Sequence, residues 1–200
     1  AADAAQVPVE HLPESTLVYL LGSRYCETDL LYDIAWNHFG AGPTGWARVQ
    51  AICDFVHRHI EFGYPHARNT RTAWEAYQEG RGVCRDYAHL AIAFCRCMNI
   101  PARYCTGYLG DMGTEPPYGT MDFAGWFEAY LGDRWYIFDA RNNTPRIGRV
   151  LIARGRDGDR GHVAGDAGDD GAVLRRVEHR ESAGGALGVE GDLLLEPTAR

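Results

Sequence analysis

Lysine is absent from this chain of 200 residues, so every one of its basic side chains is an arginine. The 20 arginines are outnumbered by 27 acidic side chains, which gives a formal net charge of −7 at pH 7. Such a balance provides no basic surface that could attract the phosphates of nucleic acid or an anionic membrane. We therefore expect no nucleic-acid partner.

Long apolar stretches are also missing, because no run of about 18 apolar residues occurs in the chain. Residues 1–10 lack the basic start and the apolar segment of a secretion signal. From these two absences we expect no membrane partner. With 46% hydrophobic and 24% charged residues, the composition fits one globular domain that buries roughly 70% of its unfolded surface.

Paired C-x-x-C motifs are missing as well, although the chain contains six cysteines: Cys26, Cys53, Cys84, Cys95, Cys97 and Cys105. Their number and spacing do not resemble a disulfide scaffold, which favours the reducing cytoplasm as the location. Cys95 and Cys97 lie two residues apart on a predicted helix, where side chains point about 200° apart and cannot bind one metal together. We therefore predict neither a metal nor another cofactor.

Composition divides the chain into three parts. Residues 1–20 are polar and irregular, and we interpret them as a linker or N-terminal extension. Residues 21–157 carry the helical and strand patterns of a core domain. Residues 158–200 form a glycine-rich tail: the stretch 155–200 has ten of the 24 glycines and no aromatic residue or cysteine. We expect this tail to be poorly ordered.

Apolar spacing predicts four helices. One covers residues 26–40, and a second follows Thr44 with apolar residues at steps of three and four and with Arg48 facing outward. A shorter helix covers Ala73–Glu79 and stops at a glycine-rich turn. The fourth, over residues 84–98, is apolar on most sides and should therefore be central.

Strand patterns follow this central helix. Aromatic and β-branched residues are enriched over 103–108, 126–131 and 134–138. Gly132 and Asp133 join the last two segments as a two-residue hairpin turn. The predicted fold class is therefore α+β, with a buried helix packed on an antiparallel sheet.

Cys84 is a candidate nucleophile because it follows Gly82 and Val83 at the first position of the predicted central helix. Backbone N–H groups and the helix dipole favour an anion at this place, so they favour a thiolate. The same N–H groups could hold the oxyanion that forms when a thiolate attacks a carbonyl. A buried, unreactive cysteine is the alternative, and we expect that role for Cys53, Cys95 and Cys105.

Two blocks of the sequence resemble bacterial transglutaminase-like proteins, which have a papain-like core. The first is Gly82-Val83-Cys84-Arg85-Asp86-Tyr87-Ala88-His89-Leu90, followed by Asn99-Ile100-Pro101-Ala102-Arg103 and Gly107-Tyr108. The second comprises Met121-Asp122-Phe123-Ala124-Gly125-Trp126-Phe127-Glu128-Ala129-Tyr130 and Trp135-Tyr136-Ile137-Phe138-Asp139-Ala140-Arg141. The likeness covers about residues 13–157, and two ordered blocks make it far more specific than a lone cysteine.

The resemblance implies a Cys-His-Asp triad that forms an acyl-enzyme and releases it to water or to an amine. Cys84 matches the nucleophile, and Asp139 matches the acid that orients the imidazole. The expected histidine is missing, because Ala124 stands where the family has His before Ala-Trp. His89 lies about 140° round the helix from Cys84 and points away, whereas His66 and His162 could in principle approach the site.

Two functions stay open at this point. The first is a cysteine-dependent hydrolase or acyl-transferase that acts on peptide or isopeptide-type amides of a peptide or protein substrate. The second is a catalytically impaired homologue that serves as a peptide-binding or interaction module. Tyr108 and Trp126 are candidates for substrate binding, although aromatic residues of a sheet can equally belong to its core. The loop 111–120 is a candidate substrate-facing flap. The sequence does not indicate an oligomeric state.

Overall fold

A computed structural model of the chain describes residues 3–110, 123–146 and 148–158. The chain divides into a unit of Ala1–Gly165 and a unit of Asp166–Arg200, and all described residues belong to the first. The predicted flap and the glycine-rich tail beyond residue 158 lie outside the described residues.

Helices dominate the first half of this unit, and strands follow in the second. The described helices are α1 (Glu14–Leu17), α2 (Thr28–Phe39), α3 (Trp46–His59), α4 (Ala73–Glu79) and α5 (Cys84–Cys97), with short 3-10 helices at Val9–His11, Val18–Leu20 and Tyr64–His66. The described strands are β1 (Glu61–Phe62), β2 (Arg81–Gly82), β3 (Ala102–Leu109), β4 (Phe123–Leu131), β5 (Arg134–Phe138) and β6 (Arg149–Gly155).

The main sheet is antiparallel and has the strand order β5-β4-β3-β6. The predicted hairpin is confirmed: Leu131 pairs with Arg134, and Gly132 has a φ of 60°, which glycine adopts without a side-chain clash. Strand β6 was not predicted, and β1 and β2 form a separate parallel pair. The predicted α+β class is confirmed.

Side chains of the main sheet alternate between two faces. Phe127, Ala129 and Leu131 of β4 are buried in the hydrophobic core with α5, and we call their side the helix face. The intervening residues, among them Trp126 and Glu128, point to the opposite side, the outer face. Because Tyr104 of β3 pairs with Phe127, it also belongs to the helix face.

Helix α5 is central, as its apolar composition predicted, because every residue from Asp86 to Cys97 is buried. Helices α2, α3 and α4 and strands β3 and β4 all pack against it. Within the described residues, no helix combines the length and the apolar character that crossing a bilayer requires.

The outward orientation predicted for Arg48 is wrong, because this side chain is only 7% exposed. It donates a hydrogen bond of 3.0 Å to the side chain of Gln6, whose amide nitrogen in turn donates to the carbonyl oxygen of Met98. Residues of the N-terminal stretch therefore cover α3, which the spacing within α3 alone could not reveal.

The N-terminal stretch packs on the domain rather than extending from it as a linker. The carbonyl oxygens of Ala4 and Ala5 accept hydrogen bonds from the backbone N–H groups of Trp46 and Gly132, at 2.9 and 2.8 Å. Thr16 and Tyr19 are buried. The N-terminal stretch is therefore held to the core domain by backbone hydrogen bonds and by buried side chains.

Arg96 connects α5 to both ends of the described chain. It is 3% exposed and donates hydrogen bonds to the carbonyl oxygens of Leu21, Ala102 and Arg156. Burial lowers the pKa of its guanidinium. The adjacent Asp157 carboxylate accepts a hydrogen bond from the N–H of Tyr25, so the segment that follows β6 is docked on the domain.

Candidate active site

Helix α5 begins at Cys84 because the residues around it form a tight, hydrogen-bonded turn. The carboxylate of Asp86 accepts a hydrogen bond of 2.9 Å from the N–H of Val83, the residue that precedes the helix. A side chain at Gly82 would lie 2.6 Å from that carboxylate, so glycine is required there. Arg71 pairs with the same carboxylate at 3.1 Å. The sulfur is thus placed at a well-fixed helix start, where the dipole favours an anion.

Cys84 differs from the other five cysteines in its exposure. All six are thiols, but Cys84 is partly exposed whereas the others are buried. Burial raises the pKa of Cys26 to about 11 and that of Cys97 to about 12. Burial also raises the pKa values of Cys53, Cys95 and Cys105. These five thiols stay protonated at neutral pH, which leaves Cys84 as the candidate nucleophile.

Strand β4 meets the helix start at Gly125, whose backbone N–H donates to the sulfur of Cys84 at 3.3 Å. The carbonyl oxygen of the preceding residue, Ala124, accepts a hydrogen bond of 3.0 Å from the hydroxyl of Thr106 on β3. The carbonyl therefore points towards β3, and the N–H of Gly125 points away from it. The sulfur consequently lies on the β5 side of β4, beyond the place where the pairing of β4 with β5 ends.

The position where the resemblance places the histidine lies next to this contact. Ala124 precedes Gly125 and is half-buried on the outer face. Because Phe127 pairs with Phe138, Asp139 follows at the level of Trp126, two residues from Ala124 and on the same face. The structure therefore brings Cys84, Ala124 and Asp139 to one end of the sheet.

The carboxylate of Asp139 is fully engaged by neighbouring side chains. Arg149, at the start of β6, forms an ion pair with it, and the two side chains are 11% and 8% exposed. Asn142 donates to the same carboxylate from its backbone N–H at 3.0 Å and from its side-chain amide at 2.7 Å. An arginine and an asparagine are thus partners of this carboxylate.

The two residues predicted to bind substrate have different surroundings. Tyr108 is 43% exposed, and its ring forms an edge-to-face contact with that of Phe123. The two residues are paired across β3 and β4 on the helix face, next to the pair of Thr106 and Gly125 on that face. Trp126 is 2% exposed, and its ring lies beside the guanidinium of Arg149. Trp126 therefore offers little surface to a substrate in this structure, and its role in binding stays a prediction.

Histidines other than the missing one have their own places in the described structure. The ring of His57 contacts the carbonyl oxygens of Ala140 and Arg141, and that of His59 contacts the carbonyl of Tyr77. His89 is fully buried and accepts a hydrogen bond of 2.8 Å from the N–H of Gly158. His66 ends the short helix Tyr64–His66, and His162 lies outside the described residues. In the part of the chain that the structure describes, no three His, Cys, Asp or Glu side chains converge as metal ligands.

The comparison with protein families decides what this arrangement belongs to. A model of the transglutaminase-like superfamily matches residues 35–140, which include Cys84, Ala124 and Asp139. The chain belongs to the transglutaminase-like superfamily. This confirms the family that the sequence blocks indicated.

Relatives of this transglutaminase-like chain occur in mycobacteria. It is 35% identical over 163 residues to "Uncharacterized protein ML0607" of Mycobacterium leprae, covering 78% of this chain and 51% of that relative. It is 29% identical over 124 residues to "Uncharacterized protein Rv2569c" of Mycobacterium tuberculosis, covering 54% of this chain and 38% of that relative. The chain therefore spans about half the length, or less, of these relatives.

Two solved structures share the fold. The structure of a candidate cysteine protease from Cytophaga hutchinsonii matches 77% of this chain and 51% of its own, with 40% identity and a TM-score of 0.70. The periplasmic domain of TgpA from Pseudomonas aeruginosa, solved with ethylmercury bound, matches 68% of this chain and 51% of its own, with 21% identity and a TM-score of 0.51. At that identity, the second likeness shows the fold alone.

Sequence reasoning missed two residues that shape the site, Arg149 and Thr106. Arg149 lies ten residues beyond Asp139, in a strand whose pattern was not recognised, so nothing in the sequence signalled their pairing. Thr106 was noted only as part of a strand. A threonine in a strand next to the position of the expected histidine is a weak signal, since most threonines of sheets serve packing alone.

Proposed function

We propose that the chain is a transglutaminase-like thiol hydrolase or acyl-transferase that acts on peptide or isopeptide-type amides through Cys84. The observation that carries the proposal is the position of its sulfur. It is the partly exposed thiol at the start of a buried helix, and it accepts a hydrogen bond from the Gly125 amide. Membership of the superfamily supports this reading.

The reaction begins with attack of the Cys84 thiolate on the carbonyl carbon of the amide. A carbon–sulfur bond forms, the carbon–nitrogen bond breaks, and the leaving amine takes up a proton. Backbone N–H groups at the start of α5 favour the transient oxyanion. Water then attacks the thioester to give a carboxylic acid and the free thiol, or an amine attacks it to give a new amide.

Proton transfer is the difficult part of this scheme, because Ala124 provides no imidazole. Water must then supply the proton to the leaving amine, which costs about 10²–10⁴ in rate compared with a positioned base. Activated substrates whose leaving groups need no proton should be the best ones. A lysine-free chain also has no ε-amine with which to resolve its own acyl-enzyme, so self-crosslinking should not occur.

We propose Tyr108 as a contact for the acyl portion of the substrate. It is exposed on the helix face, and its edge-to-face partner Phe123 is 48% exposed. Two aromatic side chains presented together bind apolar groups more readily than charged ones. A Tyr108→Ala variant should therefore raise the KM for substrates with an apolar acyl group more than for acetyl substrates.

A second function is favoured by the state of Asp139. Because Arg149 and Asn142 occupy its carboxylate and Ala124 replaces the histidine, the acid half of the site is assembled without a base. We propose as the alternative a catalytically impaired homologue that binds peptides near Cys84. In that case Cys84 is accessible and can be acylated, but the acyl group is not released.

Acylation of the thiol separates the two functions. The chain is incubated with p-nitrophenyl acetate and, separately, with a small peptide amide, and intact mass and product release are followed over time, with Cys84→Ala as the control. Repeated turnover that disappears in the Cys84→Ala chain supports the enzyme. A single stoichiometric acetylation without turnover, or none at all, favours the binding module.

A further inference from the structure

One peptide unit lies between Cys84 and the β3 strand, with a hydrogen bond at each end. On one side, the N–H of Gly125 donates to the Cys84 sulfur at 3.3 Å. On the other side, the carbonyl oxygen of Ala124 accepts from the Thr106 hydroxyl at 3.0 Å. Because the two atoms of a trans peptide point in opposite directions, the hydroxyl and the sulfur face each other across this unit.

We propose that Thr106 is a positioning residue for Cys84, which acts through the Ala124–Gly125 peptide to stabilise the thiolate. A hydrogen bond accepted by a carbonyl polarises the amide and strengthens the bond that its N–H donates. The charged form of the sulfur gains more from such a donor than the neutral thiol does. This proposal rests on the proposed function in one respect, namely that Cys84 is the nucleophile.

The phenol of Tyr104 lies beside this peptide unit on the helix face. The residue is 8% exposed, and a Cβ placed on Gly125 would lie 2.4 Å from its hydroxyl oxygen. Burial and, after it, a charge on Cys84 raise the pKa of the phenol, so it stays protonated at neutral pH.

Glycine at position 125 is what admits the phenol. A Cβ at Gly125 would lie 2.4 Å from the Tyr104 hydroxyl oxygen and 3.1 Å from its ring carbon Cζ. Real Cβ atoms do not approach so closely, so any larger residue would displace the tyrosine. The resemblance places alanine at this position in the family.

Several charges surround the start of α5 and act on the sulfur independently of Thr106. On α5 they are Arg85 and Asp86, and the loop before α4 contributes Arg71. The ion pair of Asp139 and Arg149 lies at the ends of β5 and β6. A neutral change at Thr106 leaves all of these groups in place, so its effect on the sulfur can be measured against a constant background.

The test is the pH dependence of iodoacetamide alkylation of Cys84, followed by peptide mapping, in Thr106→Val and Thr106→Ser chains. Valine keeps the shape and β-propensity of threonine but removes the hydroxyl, and serine keeps the hydroxyl. We expect the valine chain to react about two- to fivefold more slowly at pH 7, with the midpoint of its pH curve moved upward. The serine chain should follow the parent.

Loss of folding is recognised in the same experiment, because Cys53 and Cys95 are buried and become labelled only if the domain opens. Identical pH curves for the parent and the valine chain would overturn the proposal. A slower reaction of the serine chain, equal to that of the valine chain, would also overturn it, since packing rather than the hydroxyl would then be responsible.

Gly125→Ala provides an independent variant. It should move the midpoint upward in the same sense, because the new methyl group collides with Tyr104 and shifts the N–H that donates to the sulfur. Its cost in stability should be smaller in the Tyr104→Phe background, where the colliding oxygen is gone. A Gly125→Ala chain with the parent's pH curve would contradict the role of this contact. Alkylation needs no turnover, so failure of the proposed enzyme activity would leave these outcomes unaffected.

Discussion

The two faces of the main sheet are stabilised by different interactions. On the helix face, Phe127 and Leu131 pack against the apolar side of α5, and the burial of apolar area dominates. On the outer face, Glu128 lies between Arg103 and Arg154, and Asp139 pairs with Arg149. Arginine–carboxylate pairs therefore organise the face that carries Ala124.

This difference explains why the candidate site is complete in one half and altered in the other. The half of the site that contains the Cys84 thiol is built from main-chain groups, namely the start of α5 and the N–H of Gly125 in β4. The acid half depends on which side chain meets Asp139. In this chain an arginine pairs with it.

Among the arginines of the outer face, removal of Arg149 should lower the free energy of unfolding most strongly. Arg149→Leu leaves the carboxylate of Asp139, 8% exposed, without its cation. We expect a loss of about 3–5 kcal/mol in the free energy of unfolding, measured in urea at pH 7. Arg154→Leu is the matched control, because Arg154 is 45% exposed and Glu128 keeps Arg103. Equal losses in the two chains would show that the Asp139 pair has no special importance.

Labelling should separate Cys84 from the cysteines buried in the core. We expect iodoacetamide at pH 7.5 to modify Cys84 at least about a hundredfold faster than Cys26, whose pKa is raised to about 11 by burial. Peptide mapping at short times measures both rates in one sample. Faster modification of Cys26 or Cys53 would remove the physical basis of the nucleophile assignment.

Acidification should lower the free energy of unfolding through His89, which packs against Tyr104. Burial lowers the pKa of His89 from 6.5 to about 3. Below pH 6.5 the unfolded chain binds a proton at this residue that the folded chain does not, so stability falls as the pH falls towards 3. The slope attributable to His89 is about 1.4 kcal/mol per pH unit, or about 2 kcal/mol between pH 6.5 and 5.

His89→Gln is the variant that isolates this contribution, because a glutamine side chain can still accept from the N–H of Gly158. It should be less stable than the parent at pH 7 but should lose less stability on acidification. Urea unfolding at pH 7, 6 and 5 gives both slopes. Parallel slopes would mean that His89 is not kept neutral by the fold.

Restoring the imidazole should join the two halves of the site. We expect Ala124→His to raise thiol alkylation near pH 7 and the hydrolysis of a small amide or activated ester by at least about tenfold, the low end of what a positioned base provides. Ala124→Gln, which cannot act as a base, is the control. If both variants behave like the parent while folded, the binding module becomes the better function.

Local signals in the sequence predicted the parts of the structure that depend on neighbouring residues. The start of α5 at Cys84 follows from Gly82 and the carboxylate of Asp86 three residues along the chain from Val83, and the hairpin follows from Gly132. The burial of Arg48 could not be predicted, because it depends on Gln6, 42 residues earlier. The pairing of Asp139 with Arg149 depends likewise on the placement of β6, an unpredicted strand.

The three carbonyl groups that surround Arg96 also bear on the synthesis of the protein. Leu21, Ala102 and Arg156 come from the beginning, the middle and the end of the described chain. While the ribosome has not yet released residue 156, the buried guanidinium lacks one of these acceptors and β3 lacks its neighbour β6. The helix that begins at Cys84 can therefore reach its final packing only after nearly the whole domain has emerged.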